Sequence, residues 1–223
     1  MTTKEYHEKI TCPIEKIRAL YKETKTLAQQ VIGETLFKED LYLCSVLDRS
    51  MRLTDGLILM LEAKNLTCSG ALLRLQMDNC LRLFALFIAN DRNEAVNCII
   101  DGGNFSKLKD KDGKPMKDGH LKEKLNKYDP IFSDIYAQAS GFIHFSEKAF
   151  YQSVYSAENN TISFQVGGEQ SEKLNPVLLE CAYVYIHFTE LLHTLMSIIA
   201  ESKTEFDANY ASMPISSDLT NEE

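Results

Sequence analysis

Arg74, Asp78 and Arg82 recur at four-residue intervals within the stretch from Leu66 to Asn90. On a helix that spacing stacks the three charges in one stripe. An arginine can stabilise negative charge developing on a phosphate, and a carboxylate beside it can orient it or fix the tautomer of a histidine. The neighbouring residues sharpen the question. Leu72, Leu73, Leu75, Met77, Cys80 and Leu81 occupy nearly every other face, and a helix that is apolar all round is buried. Buried charges are costly unless paired. The stripe therefore reads either as a structural ion ladder or as the wall of a site.

A histidine for such a site comes from the segment opened by Asp129-Pro130. Asp129 as N-cap and Pro130 at the first helical position predict a helix running to about Ser146. Ala137, Ser140, Gly141 and His144 then share one face, and their small side chains would let the central helix approach closely. Asp78 or a neighbouring carboxylate would then fix the tautomer of His144 and fit it for general acid–base work. A core histidine satisfied by one hydrogen bond accounts for the same pattern.

Other constellations exclude more than they suggest. Glu190 and His193 have the i, i+3 spacing of bundle metal sites, but no second Glu-x-x-His pair exists, so no metal site is expected. The run Asp110-Lys-Asp112-Gly113 would place Leu108 first and Gly119 twelfth in a calcium loop, which rules out an EF-hand. Asp48, Arg49, Arg52 and Asp55 fit a solvated helix face or a mixed ion network. There is no nucleophile elbow, Walker loop or dinucleotide fingerprint, and no cofactor is expected. The six cysteines form no CxxC pair and read as reduced thiols of a cytoplasmic protein.

The elements that must position these residues are helical. Apolar periodicity predicts long helices over about Thr3–Val31 (with Pro13 a kink or a start), Lys38–Lys64, Leu66–Asn90 and Asn175–Lys203, with a short one over Arg92–Ile100. Period-two alternation predicts a β-hairpin over about residues 149–168. Together these give a mostly α fold: an up-down helical bundle of four to five long helices with a small inserted β-hairpin, in one domain over residues 1–206. Residues 207–223 read as a disordered acidic tail.

At 223 residues, with 44% hydrophobic and 25% charged positions, the composition is that of a soluble globular protein. No apolar run of membrane-spanning length occurs, and the opening MTTKEYHEKI has no apolar core of a secretory signal. Net charge is −8, which argues against nucleic-acid binding by the whole surface. From Ser106 to Lys127, however, eight lysines face four acids. This stretch reads as an exposed loop leading into a helix start, with almost no core-forming residues, and Lys109 and Lys111 within it could supply an electrostatic approach for RNA. The central and final helices are both apolar nearly all round. A bundle this small rarely encloses two such helices, which predicts a homodimer through the final one.

The pair ALLRLQMDNCLRLFAL and YAQASGFIHFS resembles an uncharacterised bacterial family of helical proteins grouped near the HEPN superfamily, over about Lys38 to Ser146. In that family an arginine-and-acid helix precedes a helix with a Tyr…Ser…His segment, here Tyr136, Ser140 and His144. The resemblance implies a dimeric helical bundle in a toxin or phage-defence setting, often a metal-independent ribonuclease with an Arg-x4–6-His motif. That motif is missing: no arginine here has a histidine at the required distance. Two functions follow as expectations. In one, the protein acts on or binds RNA, with His144 as acid–base, Arg74 stabilising phosphate charge, Asp78 orienting one of them, and Arg82, Ser140, Tyr136, Lys109 and Lys111 binding. In the other it is a non-catalytic binding or assembly module, and Arg74, Asp78, Arg82 and His144 form a buried structural network.

Overall fold

The computed structural model describes residues 1–144, 146, 150, 154–158, 161–164, 166–167 and 171–211. Helix α1 spans Thr3–Ile32 and starts on a capping box: Thr2 Oγ1 accepts from the Glu5 amide, and Glu5 Oε2 accepts from the Thr2 amide at 2.7 Å. The helix passes through Pro13 and ends at Gly33, where φ is +56°. A side chain there would strike Asp207 Oδ2 at 2.3 Å, so glycine is required both by conformation and by space.

Helix α2, Lys38–Glu62, follows, and Asp40 Oδ2 accepts from the Phe37 amide at 2.7 Å. A tight turn with Lys64 in the left-handed region leads to α3, Leu66–Ile88, capped by Asn65. Helix α4, Arg92–Ile100, is capped by Asp91. Then come α5, Asp118–Leu125, and α6, Phe132–Ile143. Strands β1, Val154–Glu158, and β2, Thr161–Phe164, pair antiparallel with Glu158 opposite Thr161. The rest of the 149–168 stretch, apart from residues 150 and 166–167, lies outside the described residues. Helix α7, Asn175–Ala211, completes the bundle.

The long helices alternate in direction. Helix α6 runs against α3, since Phe142 meets Gly70 while Tyr136 meets Arg74. Helix α7 runs with α1: Asn175 Nδ2 donates to the Met1 carbonyl at one end, and the Glu34 backbone amide donates to Asp207 Oδ2 at the other. Helix α3 is the hub and touches α2, α4, α5, α6 and α7, while α1 packs on α2 and α7. The core is one cluster, with Leu43, Leu57, Met77, Leu81, Phe188 and Leu192 fully enclosed. Among the described residues no helix is long and apolar enough to cross a membrane.

Three expectations are corrected. The lysine segment is not poor in core residues: Met116, Leu121 and Leu125 from it are buried in the main core, beside Phe105 just before it. The small-residue face of α6 is not where the helices come closest. Ala137 is exposed and Gly141 faces Ser146, and the close approach is made by Gly70 of α3, over which the Phe142 ring lies. The last helix also runs past the expected start of a tail at residue 207, and Asp207 is buried. Residues 212–223 lie outside the described residues. The far end of α7 grips the α1–α2 turn through Lys203, which bonds Asp40 Oδ2 at 2.6 Å and the Thr35 carbonyl.

At an ordinary helix position glycine-to-alanine gains about 1 kcal/mol. At Gly70 the added carbon would lie 2.3 Å from the Phe142 ring. Gly70→Ala should therefore destabilise, by about 1–3 kcal/mol on a urea melt. His193 supplies a pH test. It is buried between Thr24, whose Oγ1 is 2.8 Å from Nε2, and Glu23. Burial pulls its pKa below the usual 6.5, and the pull of Glu23 and Glu190 only partly offsets this. The unfolded chain then takes up the proton first, so stability is full above about pH 6.5 and falls as pH drops through the folded value. Melting temperature should decline from pH 7.5 to 5.5, and less steeply in His193→Gln.

Candidate functional site

Arg74 leaves α3 on the side covered by α6. Its Nη1 lies 2.6 Å from Asp78 Oδ1, one turn along, and its Nε donates to Ser140 Oγ at 3.1 Å. Nη2 donates to the Tyr136 hydroxyl, and the guanidinium lies 3.5 Å from the centre of the Tyr136 ring. The side chains of Arg74 and Asp78 are only 14% and 22% exposed. Lys122 approaches the same ring, at 5.8 Å from its centre. Burial first, and then the Asp78 carboxylate, push the Tyr136 phenol up to about 12, against the pull of Arg74, so it stays protonated. The sequence stripe and the Tyr…Ser spacing thus do converge, as a clamp joining α3 to α6. Nε and Nη2 of Arg74 are hydrogen-bonded to α6, and Nη1 stands in ion-pair contact with Asp78 without a hydrogen bond among the described residues, so most of its charge is already matched inside the clamp.

Arg82 stands apart from this clamp. Its Nη2 donates to Asp118 Oδ1 at 2.7 Å, tying α3 to the start of α5, and its buried Nη1 finds no acceptor among the described residues. His144 is not part of the set either. Helix α6 ends at Ile143, so His144 has extended backbone and an exposed side chain. The helix also starts later than the sequence predicts, at Phe132, because Asp129 caps differently from the expectation. Its Oδ1 accepts from the Ile131 amide at 3.3 Å, and its Oδ2 pairs with His187 Nε2 at 2.6 Å.

That His187–Asp129 pair escaped the sequence reading, as did a second one. Asp110 is 1% exposed and holds His120 Nε2 at 2.7 Å together with the backbone amides of Asp112 and Lys114. Its own burial would raise its pKa, but the hydrogen bonds from His120 and the two amides outweigh that and lower it. Lys124 reaches from α5 to Asp112. The segment also pairs with the end of α3, where Ala89 bridges Asp110 and the Lys111 amide donates to the Ile88 carbonyl. The lysine stretch is therefore a built lobe around a buried carboxylate. Lys109 and Lys111 are exposed on it, as are Lys107, Lys114, Lys117 and Lys127.

A buried polar ladder crosses the bundle centre and was also missed. Gln76 Nε2 donates to Ser50 Oγ at 2.8 Å and to Thr189 Oγ1 at 3.2 Å, and Asn79 donates to Gln76 Oε1 at 3.0 Å. Arg49 reaches in from the surface to Asn79 Oδ1. Tyr185 and Thr54 meet at 3.0 Å below it. Two amides spaced i, i+3 on an otherwise apolar helix were the available signal.

The clamp and the exposed histidine should respond differently to removal. Arg74→Ala strands the Asp78 carboxylate and should cost about 2–3 kcal/mol, below the range of a fully buried pair because both groups keep some solvent. Arg74→Lys should recover little, since an ammonium cannot supply the planar stack and the fork together. His144→Ala should fall within about 0.5 kcal/mol of the parent. Chemical denaturation of the three variants distinguishes these outcomes.

Compared with models of known protein families, with characterised proteins and with solved structures, the chain matches none.

Proposed function

We propose that the protein binds RNA through its lysine lobe and does not cleave it. The observation that carries this reading is the construction of the lobe. Six of the eight lysines of this stretch, Lys107, Lys109, Lys111, Lys114, Lys117 and Lys127, are exposed on a framework anchored by Asp110 and His120, in a chain whose net charge is −8. A framed array of cations on an acidic body confines polyanion binding to one face, where phosphates displace counterions. The non-catalytic half of the reading is supported by the partners of Arg74 and the position of His144. A guanidinium bound to Asp78, Tyr136 and Ser140 is not free to stabilise a phosphorane, and His144 stands outside the cluster.

Fluorescence anisotropy with labelled RNA tests the reading. Affinity should fall steeply between 50 and 200 mM salt, with a log–log slope of about 0.7 per phosphate contacted on a single strand. A variant carrying Lys109→Glu, Lys114→Glu and Lys117→Glu should lose at least about tenfold in affinity and most of that slope. Absence of binding at low salt, or binding unchanged in the variant, overturns the proposal. RNA cleavage abolished by His144→Ala overturns its non-catalytic half.

The proposal includes a homodimer. It is supported by α7, which buries Tyr185, Phe188 and Leu192 inward yet keeps Tyr183, Ile198 and Phe206 about half exposed. Light scattering should give twice the 25.3 kDa of one chain, and a monomer mass at micromolar concentration removes this part.

A further inference from the structure

The lysine lobe ends on a feature that phosphate attraction alone does not use. Tyr128, in the turn after α5, is 77% exposed. Its position is fixed nonetheless: its amide donates to the Leu125 carbonyl at 2.9 Å, and one edge of its ring rests on Phe84 at 5.9 Å between centres. The next residue, Asp129, is buried and holds His187 Nε2 at 2.6 Å. The imidazole is also braced edge-on against Phe188, 4.9 Å away, and is 45% exposed. Two exposed ring systems, each held at its base, are thus linked through Asp129, Tyr128 as its chain neighbour and His187 as its hydrogen-bond partner. Neither is needed to fill the core. Lys127 precedes Tyr128, and the eight residues of α5, about 12 Å long, join this corner to the lysine loop.

We infer that the bound strand is unpaired and that its bases stack on Tyr128 and His187 while its phosphates follow the lysines; this rests on the RNA-binding reading. In a duplex the base faces are stacked on one another and closed to side chains. Aromatic platforms beside a basic track therefore select unpaired nucleotides. A sequence-tolerant grip is implied, because every base has a π-face. Asp129 is already engaged by His187 and the Ile131 amide.

The test compares a single-stranded RNA with a blunt RNA duplex of the same length and label, at one salt concentration. The single strand should bind more tightly. Stacking is worth about 5- to 150-fold per base, so Tyr128→Ala should weaken the single strand by about tenfold and leave the duplex unchanged. Tyr128→Phe should bind as the parent does, since the ring and not the hydroxyl is used. A side chain so exposed can be removed without unfolding the bundle, and an unchanged thermal melt confirms this. If duplex and single strand bind alike and Tyr128→Ala has no effect, this inference fails and the lysine reading stands. If neither RNA binds, the RNA-binding reading itself fails, and this inference with it.

Discussion

The side-chain amide of Gln76 is fully buried at the meeting of α2, α3 and α7. Leaving a buried polar group unbonded costs about 1–3 kcal/mol, a sizeable part of the 5–15 kcal/mol that holds a typical domain together. Only one sliding position of α2 and one of α7 bring Ser50 and Thr189 to it at the same time. Apolar contacts alone tolerate small shifts of one helix along another. Hydrogen bonds do not, and the register of the bundle is set here. With α2 and α7 fixed, the remaining open side of α3 is the one that carries Arg74, and α6 closes it with Tyr136 and Ser140.

The two kinds of polar contact on α3 do different work. The amide ladder is buried and central, with uncharged members inside and Arg49 at its outer end. The arginine clamp is charged, partly wet and peripheral, and it joins elements far apart in sequence. Residues that share a stripe on a helical wheel need not share a fate. Arg82 lies one turn beyond Asp78, yet it serves α5 instead of the clamp. The lysine lobe repeats the logic on a smaller scale, with Asp110 as the buried acceptor around which a short irregular segment is ordered.

Much of the architecture was legible in the residues. The limits of α1 and α4 follow from Thr2, Gly33 and Asp91, whose capping chemistry is local, and the turn from α2 to α3 follows from Asn65. Legibility failed where a side chain found a distant partner. Asp129-Pro130 has the composition of a helix start, but His187 of α7 draws the Asp129 carboxylate away and the helix begins later, and its end at Ile143 carries His144 out of the site. In the lysine segment, the many charges masked Met116, Leu121 and Leu125, whose spacing is that of a buried edge. At the clamp, Arg74, Asp78 and Ser140 were legible from helical spacing, and Tyr136 entered only through the family resemblance. The amide ladder was not, because uncharged polar residues on an apolar helix look unremarkable until their burial is known.

Helix α1 has its broadest packing partner in α7, and the two are tied at one end by the Thr3–Glu172 and Met1–Asn175 contacts, 169 and 174 residues apart. During synthesis the pair α2–α3 can form as soon as both helices leave the ribosome. The inner face of α1, with Ile10, Ile17 and Leu20, stays half uncovered until α7 emerges. Contacts so distant along the chain slow folding, and apolar surface left waiting is prone to aggregate. The nascent chain therefore carries an open hydrophobic seam through most of its translation, and the bundle closes only when its last helix arrives to fill it.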